Sequence, residues 1–349
     1  MTRSVSPASS QRLFVGVDIA AQTFTAAWGP REGSPSRPQT FHQDAAGYAA
    51  FHKHLAATGI PPAATRVVME ASGVYWVQLA VCLQTAGYEV CVVNPAQAHD
   101  YAKSLGRRGK TDAQDAVALQ DLARHRELPS WAPPPEVYHQ LRQRLVARDG
   151  LVQMRQQALN QRHALLHWPI VVDSVRQHLQ AVIDPLDEQI RALDKDLAQW
   201  LADSDWAPSA RLLLSIPGVG VLTAAWLLVT SLNFTMGEGP QSLVQYAGLA
   251  PQPHESGTSV RHKPQIGHLG HARLRTVLYM ATLSGARYNP VLRPFYQRLL
   301  KAGKPNKVAR CAVARKLIHL AWAVVTKQQP FDPKYAQRSA SAAPVPQAA

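Results

Sequence analysis

The sequence predicts a multidomain protein: an α/β domain first, a helical coiled-coil middle, and a mainly α domain at the end. Three observations predict it. Apolar, β-rich runs alternate with helical runs from Leu13 to Arg126, the pattern of a layered α/β domain. Apolar residues then recur every seven positions at Leu145, Val152, Leu159 and Leu166, and by steps of three and four from Leu179 to Trp200, as in two helices sharing a seam. A third, largely helical stretch runs from Trp206 to Asp332.

The elements follow in order. LFVGVDIAAQTFTAAW (Leu13 to Trp28) reads as strand, turn, strand, and ATRVVMEAS (Ala64 to Ser72) as a buried strand. VYWVQLAVCLQTAG is an apolar helix closed by Gly87. YEVCVVN is a strand stopped by Pro95. Ala96 to Arg126 reads as helix, interrupted near Gly106 and Gly109. RELPSWAPPPEV is a Pro-rich linker. Past it lie the two seamed helices, the second with Asp173 and Ser174 where an N-cap belongs. These marks divide the chain into a catalytic-type domain at 12–125, a linker at 126–134, a dimerisation region at 135–205, a helical domain at 206–332 and a low-complexity, disordered tail at 333–349.

The chain has 349 residues, with 37 Lys and Arg against 23 Asp and Glu, a formal charge of +14. So basic a protein usually meets a polyanion, most often nucleic acid. No compact polybasic anchor points to a membrane surface. The charge-free run from Leu212 to Met236 is long enough to span a bilayer, but Pro217, Gly218 and Gly220 divide it into two short helices and a turn. Cys82, Cys91 and Cys311 are scattered, neither a disulfide framework nor a zinc site, and the N-terminus lacks the apolar core of a signal peptide. A cytoplasmic, nucleoid-associated protein is expected.

Chemistry gathers around GRRGKTDAQDA. Arg107, Arg108 and Lys110 attract a polyanion, yet Asp112 and Asp115, three apart on one helix face, repel it. Asp18 ends the first strand, and Glu70 ends a later one inside an otherwise buried run. A buried acid must be paired or metal-bound. Four acids from three elements could supply the hard oxygen ligands that divalent metals need to clamp a phosphodiester. Taken singly, each acid also has a plain structural explanation as a strand end or a helix's first turn.

Together, GVDIAAQTF, VVMEASGVYW and GKTDAQDA resemble the N-terminal part of the DEDD-type transposases of bacterial insertion sequences, RNA-guided recombinases with a RuvC-like (ribonuclease-H-like) domain. LLLSIPGVG, YAGLAP, ESGTS and ARLRTVLYMA resemble their C-terminal transposase domain, and the resemblance runs in order from Leu13 to about Gln328. It implies that Asp18, Glu70, Asp112 and Asp115 bind Mg²⁺ and that Ser256 is the nucleophile on DNA. It also implies donor and target DNA, a non-coding bridge RNA, and a homodimer or homotetramer. His268 and His271 stand where other polar residues are expected, and the IPGVG region is unusually apolar.

Several basic positions are expected to touch nucleic acid. Arg148, Arg155 and Arg162 recur every seven residues as a stripe, with a solvated face as the alternative. Gly218 and Gly220 in IPGVG resemble a helix-hairpin-helix turn, where backbone amides meet a phosphate, or else make a plain helix turn. Arg261, Lys263, Arg273 and Arg275 follow Ser256. His254, His262, His268 and His271 come without a cysteine and make a weak case for zinc. The rivals are a Mg²⁺-dependent junction-resolving nuclease using water, a non-catalytic nucleic-acid-binding protein, and a sugar-kinase-like ATPase. Against the last, Asp18 is followed by Ile-Ala-Ala without a phosphate-loop glycine.

Overall fold

A computed structural model gives the structure, describing residues 13–106, 111–256, 260–267 and 269–334, with the backbone alone across 253–264. The chain forms two compact units, 1–133 and 134–349.

The first unit is built on a five-stranded sheet in the order β3-β2-β1-β4-β5. Strands β1 (Leu13–Ile19), β2 (Thr23–Gly29) and β3 (Gln39–His42) form an antiparallel meander, while β4 (Thr65–Glu70) and β5 (Glu89–Val93) extend it in parallel with β1. β1 is therefore central. Its side chains alternate between two buried layers. Leu13, Val15 and Val17 face one core with Phe51, Val67 and Leu79, under helices α1 (Ala45–Ala56) and α2 (Trp76–Thr85). Phe14 faces the other with Val68, Leu119 and Leu122, under α3 (Pro95–Ser104) and α4 (Asp112–His125). Each such side chain contributes about 1.5–3 kcal/mol by leaving water. The β3–α1 segment was not among the elements expected from sequence. Pro95 does stop β5, and it also opens α3 at its first turn. Arg66 is wholly buried and held by Glu89 at 3.2 Å.

In the second unit, α5 (Glu136–Leu165) and α6 (Asp173–Asp203) are two long helices packed together. Their cross-links run Arg144–Asp196, Arg148–Asp194, Arg155–Asp187 and Arg162–Gln180, so partner numbers fall as the first number rises and the pair is antiparallel. Asp173 is the first helical residue of α6 rather than its cap, which is Val172. The charge-free run forms two short helices, α7 (Ala207–Leu214) and α8 (Val221–Ser231), joined by the Pro217–Gly220 turn. α9 (Pro240–Tyr246), α10 (Ala272–Tyr288), α11 (Leu292–Lys301) and α12 (Asn306–Thr326) complete the helices. Leu213, Leu228, Leu278 and Leu317 are fully buried between them, with Leu141 and Leu145 of α5 in the same core. An antiparallel hairpin, β6 (Gln252–Ser256) and β7 (Val260–Gln265), interrupts the helices and was not expected. The low-complexity tail lies, from residue 335 on, outside the described residues. Among the described residues, no helix is long and apolar enough to cross a membrane.

Candidate active site

Four acids owe their neighbourhood to the sheet and one glycine. β1 and β4 are parallel, with Val17 opposite Met69, so the next step in register sets Asp18 beside Glu70 at the same sheet edge. Gly16 lies two residues before Asp18 and so on the same face. A Cβ added at Gly16 would stand 2.1 Å from the Gln120 amide nitrogen and 2.2 Å from the Ala116 carbonyl oxygen. The missing side chain lets α4 lie directly on β1. That contact fixes the first turn of α4, with Asp112 and Asp115, near the end of the strand. Thr111 starts the helix, its Oγ1 accepting from the Gln114 amide at 3.2 Å.

The electrostatics register this proximity. Burial, followed by the like charges of Asp115, Asp112 and Glu70, pushes the Asp18 carboxyl up from 3.8 to about 6, against a smaller lowering by the Ile19 backbone N–H. Asp18 therefore feels the other three expected acids as uncompensated negative charge. Among the described residues, however, no three His, Cys, Asp or Glu side chains stand closely enough to hold an ion as they are. The donor set fits Mg²⁺, since all four are hard oxygen ligands and a cation would relieve the repulsion recorded at Asp18. Closing on an ion would require side-chain movement.

Beside the acids opens a cleft of about 360 Å³, lined by Glu70, Asp115 and Gln114, and by His99 and Lys103 one turn apart on α3. The Ser72 hydroxyl donates to Glu70 Oε1. Sequence reasoning passed over Gly16, Ser72, His99 and Lys103. A lone glycine inside a strand pattern was the available signal for Gly16, and the i, i+4 spacing of His99 and Lys103 on a helix was another. Arg107, Arg108 and Lys110 lie outside the described residues.

Ser256 belongs to the second unit, as the last residue of β6, opposite Val260 in the hairpin. Its backbone is in a strand. The side chains of Ser256, Arg261 and Lys263 lie outside the described residues. The approach to β6 is fixed by two glycines packed back to back. Gly248 has φ +68, Gly270 has φ +96, and a Cβ on Gly270 would stand 2.7 Å from the Gly248 nitrogen. Arg275 Nη1 donates to the Ala247 and Leu269 carbonyls, both at 3.1 Å, tying this loop to α10. Arg273 pairs with Asp149. His271 is a helix cap, its Nδ1 accepting from the Leu274 amide at 3.1 Å. Burial and nearby Arg142 lower its pKa, favouring the neutral form that can accept.

Arg148 and Arg155 pair with Asp194 and Asp187 on α6, and Arg162 donates to Gln180. A phosphate at this stripe would have to compete with those partners. At the IPGVG turn, Gly218 (φ +104) packs against α10, where a Cβ would stand 2.7 Å from Gly285 Cα. Gly220 is exposed at the start of α8 with open space around its α-carbon.

Two family models match. The DEDD-type transposase model covers residues 15–168, and the transposase IS116/IS110/IS902 family model covers residues 210–297. A pilin gene-inverting protein of Moraxella bovis is 31% identical over 92% of this chain and 98% of its own length. A putative transposase of Sinorhizobium fredii is 28% identical over 78% of this chain and 75% of that protein. The transposase of insertion sequence element IS1328 from Yersinia enterocolitica is 28% identical over 70% and 79%.

Proposed function

Since the chain belongs to the DEDD-type, IS110-related family of insertion-sequence transposases and is a DNA recombinase, we propose that it cuts and rejoins DNA through a transient phosphoserine ester at Ser256, with Mg²⁺ held by Asp18, Glu70, Asp112 and Asp115. The observation that carries the metal assignment is the Asp18 carboxyl, raised to about 6 by burial and three like charges. Bound Mg²⁺ would supply the positive charge that stabilises oxyanions at phosphorus.

The residues of the chain do the rest. Ser256 Oγ attacks the scissile phosphorus and gives up its proton, a P–Oγ bond forms, the bond to the deoxyribose oxygen breaks, and that oxygen leaves as a hydroxyl by taking up a proton. A hydroxyl of the new partner strand then attacks the same phosphorus, and Ser256 regains its proton as it leaves. One phosphoester replaces another at each step, so no ATP is required. His99 and Lys103 line the same cleft as Glu70 and Asp115 and offer donors for non-bridging phosphate oxygens. Arg107, Arg108 and Lys110 draw the backbone toward acids that would otherwise repel it.

Rejoining is favoured over simple hydrolysis by the name of the Moraxella relative. Inverting a gene requires every cut end to be sealed again. The first unit is read as a RuvC-like domain, and α5 with α6 as a coiled coil through which copies pair into a dimer or tetramer. In the helix-hairpin-helix reading of IPGVG, Gly220 is the member free to meet a phosphate, because Gly218 is packed on α10. A bridge RNA pairing with donor and target rests on the family resemblance and on the basic excess of the chain.

The test is a denaturing gel of protein with labelled DNA and Mg²⁺. Wild-type protein should carry DNA covalently, and Ser256→Ala should lose both adduct and product. Cleavage by Ser256→Ala at near wild-type rate, with no adduct in either protein, would replace this reading with a water-using nuclease. No cleavage by either protein under any metal would leave a binding protein alone.

A further inference from the structure

From Gly257 to Phe331 the sequence contains fourteen Lys and Arg and not one Asp or Glu. So long an acid-free stretch leaves its cations without local counter-charges. Along α10, α11 and α12 four of them, Arg287, Arg298, Arg310 and Lys316, lie over aromatic rings. The Arg287 guanidinium carbon is 5.3 Å from the centre of the Tyr288 ring, Arg310 is 5.5 Å from Tyr296, and Lys316 is 4.7 Å from Phe295. Arg287, Arg293 and Arg310 form no ion pair among the described residues, and Arg310 Nη1 is shielded from solvent without a hydrogen-bond partner.

Arg287, Tyr288, Arg293, Tyr296 and Arg310 line one shallow groove of about 660 Å³. Tyr288 stands 65% exposed at its rim. Its base is rigid. The next residue, Asn289, is fully buried, donates to the Pro217 carbonyl at 3.0 Å and accepts from the amides of Val291 and Leu292 at 2.9 and 3.1 Å. A planar, exposed tyrosine on a fixed corner among unpaired arginines has the chemistry of a base-stacking platform with phosphate contacts beside it.

We propose that this groove binds an unpaired polynucleotide strand, with a base stacked on Tyr288 and phosphates met by Arg287, Arg293 and Arg310. A duplex would use the arginines, but its paired bases would leave the tyrosine face idle. Because the groove lies apart from Ser256 and the four acids in sequence and needs no metal, the inference stands independently of the phosphoserine proposal.

The experiment measures binding of the full-length protein in EDTA, by fluorescence anisotropy, to a labelled single-stranded RNA, the DNA strand of the same sequence, and the corresponding DNA duplex. Tyr288→Ala should weaken binding to a single strand by at least about fivefold, while Tyr288→Phe, which keeps the ring, should restore it. Duplex binding should be unchanged in both. Loss with RNA only, or with DNA only, supports the groove and identifies the strand it takes. The triple variant Arg287→Gln, Arg293→Gln, Arg310→Gln should reduce the slope of log K against log salt for the single strand by about 2. Wild-type affinity for both single strands in Tyr288→Ala, or an equal loss on the duplex, would overturn the proposal. So would an unchanged salt slope in the triple variant.

Discussion

At the residue scale, Asp18 carries the sharpest consequence. Its folded-state carboxyl titrates near 6 instead of 3.8, so between these values the folded protein binds the proton more tightly than the unfolded chain. Stability must then fall as pH rises through that window, and the whole cost is present above pH 6. Asp18→Asn removes the charge with little change of shape. In EDTA at pH 7.5 this variant should melt about 2–4 °C above wild type, the gain being limited by the partial exposure of the group. The difference should vanish below about pH 4, where wild type is protonated in both states. Mg²⁺ should raise the melting temperature of wild type more than that of the variant. Differential scanning calorimetry checks all three. A variant less stable than wild type in EDTA would mean that Asp18 is held by a favourable partner and not by repelling neighbours.

At the level of elements, the site depends on how closely α4 lies on β1, and Gly16 sets that distance. Gly16→Ala introduces a methyl group 2.1 Å from backbone that has no rotamer to change, so the helix must lift. The expected loss is about 2 kcal/mol or more of folding free energy, with DNA cleavage falling further than nucleic-acid binding as Asp112 and Asp115 move from Asp18. Urea unfolding and a cleavage assay measure the two. A wild-type midpoint together with wild-type cleavage would remove Gly16 from the account. The acids were legible in the sequence one at a time, because acids at the ends of apolar runs stand out. The glycine that seats the helix beside them was not, because its function is an absence of atoms. β1, β4 and β5 were readable as apolar runs with turn signals. β3 buries only Phe41 of its four residues. The hairpin of β6 and β7 has no apolar alternation and carries Pro253 and Pro264, which argue locally against strands. Pairing across a short connection, rather than propensity, makes it a hairpin.

Across the whole molecule, charge is divided unevenly. Residues 1–133 hold 12 basic and 10 acidic residues, whereas residues 134–349 hold 25 and 13. The acids of the second unit are concentrated on α6, where they meet the arginines of α5, leaving residues 257–331 with cations only. The stripe of Arg148, Arg155 and Arg162 looks like a free basic surface in the sequence because its partners lie 46, 32 and 18 residues away. Only the antiparallel packing of α5 and α6 brings them opposite. Two separate measurements follow for the variant with all three changed to Gln. The two partly exposed ion pairs contribute about 0.2–1 kcal/mol each, and Arg162 adds its hydrogen bond to Gln180, so the melting temperature should fall by a few degrees. Its slope of log K against log salt on duplex DNA should stay within about one unit of wild type, because two of the three charges are already paired within the protein and displace few counterions from DNA. A slope smaller in magnitude by about 2 or more, with unchanged thermal stability, would reverse the assignment. The arginines would then exchange their α6 partners for phosphate, and the hairpin would be part of the DNA-binding surface.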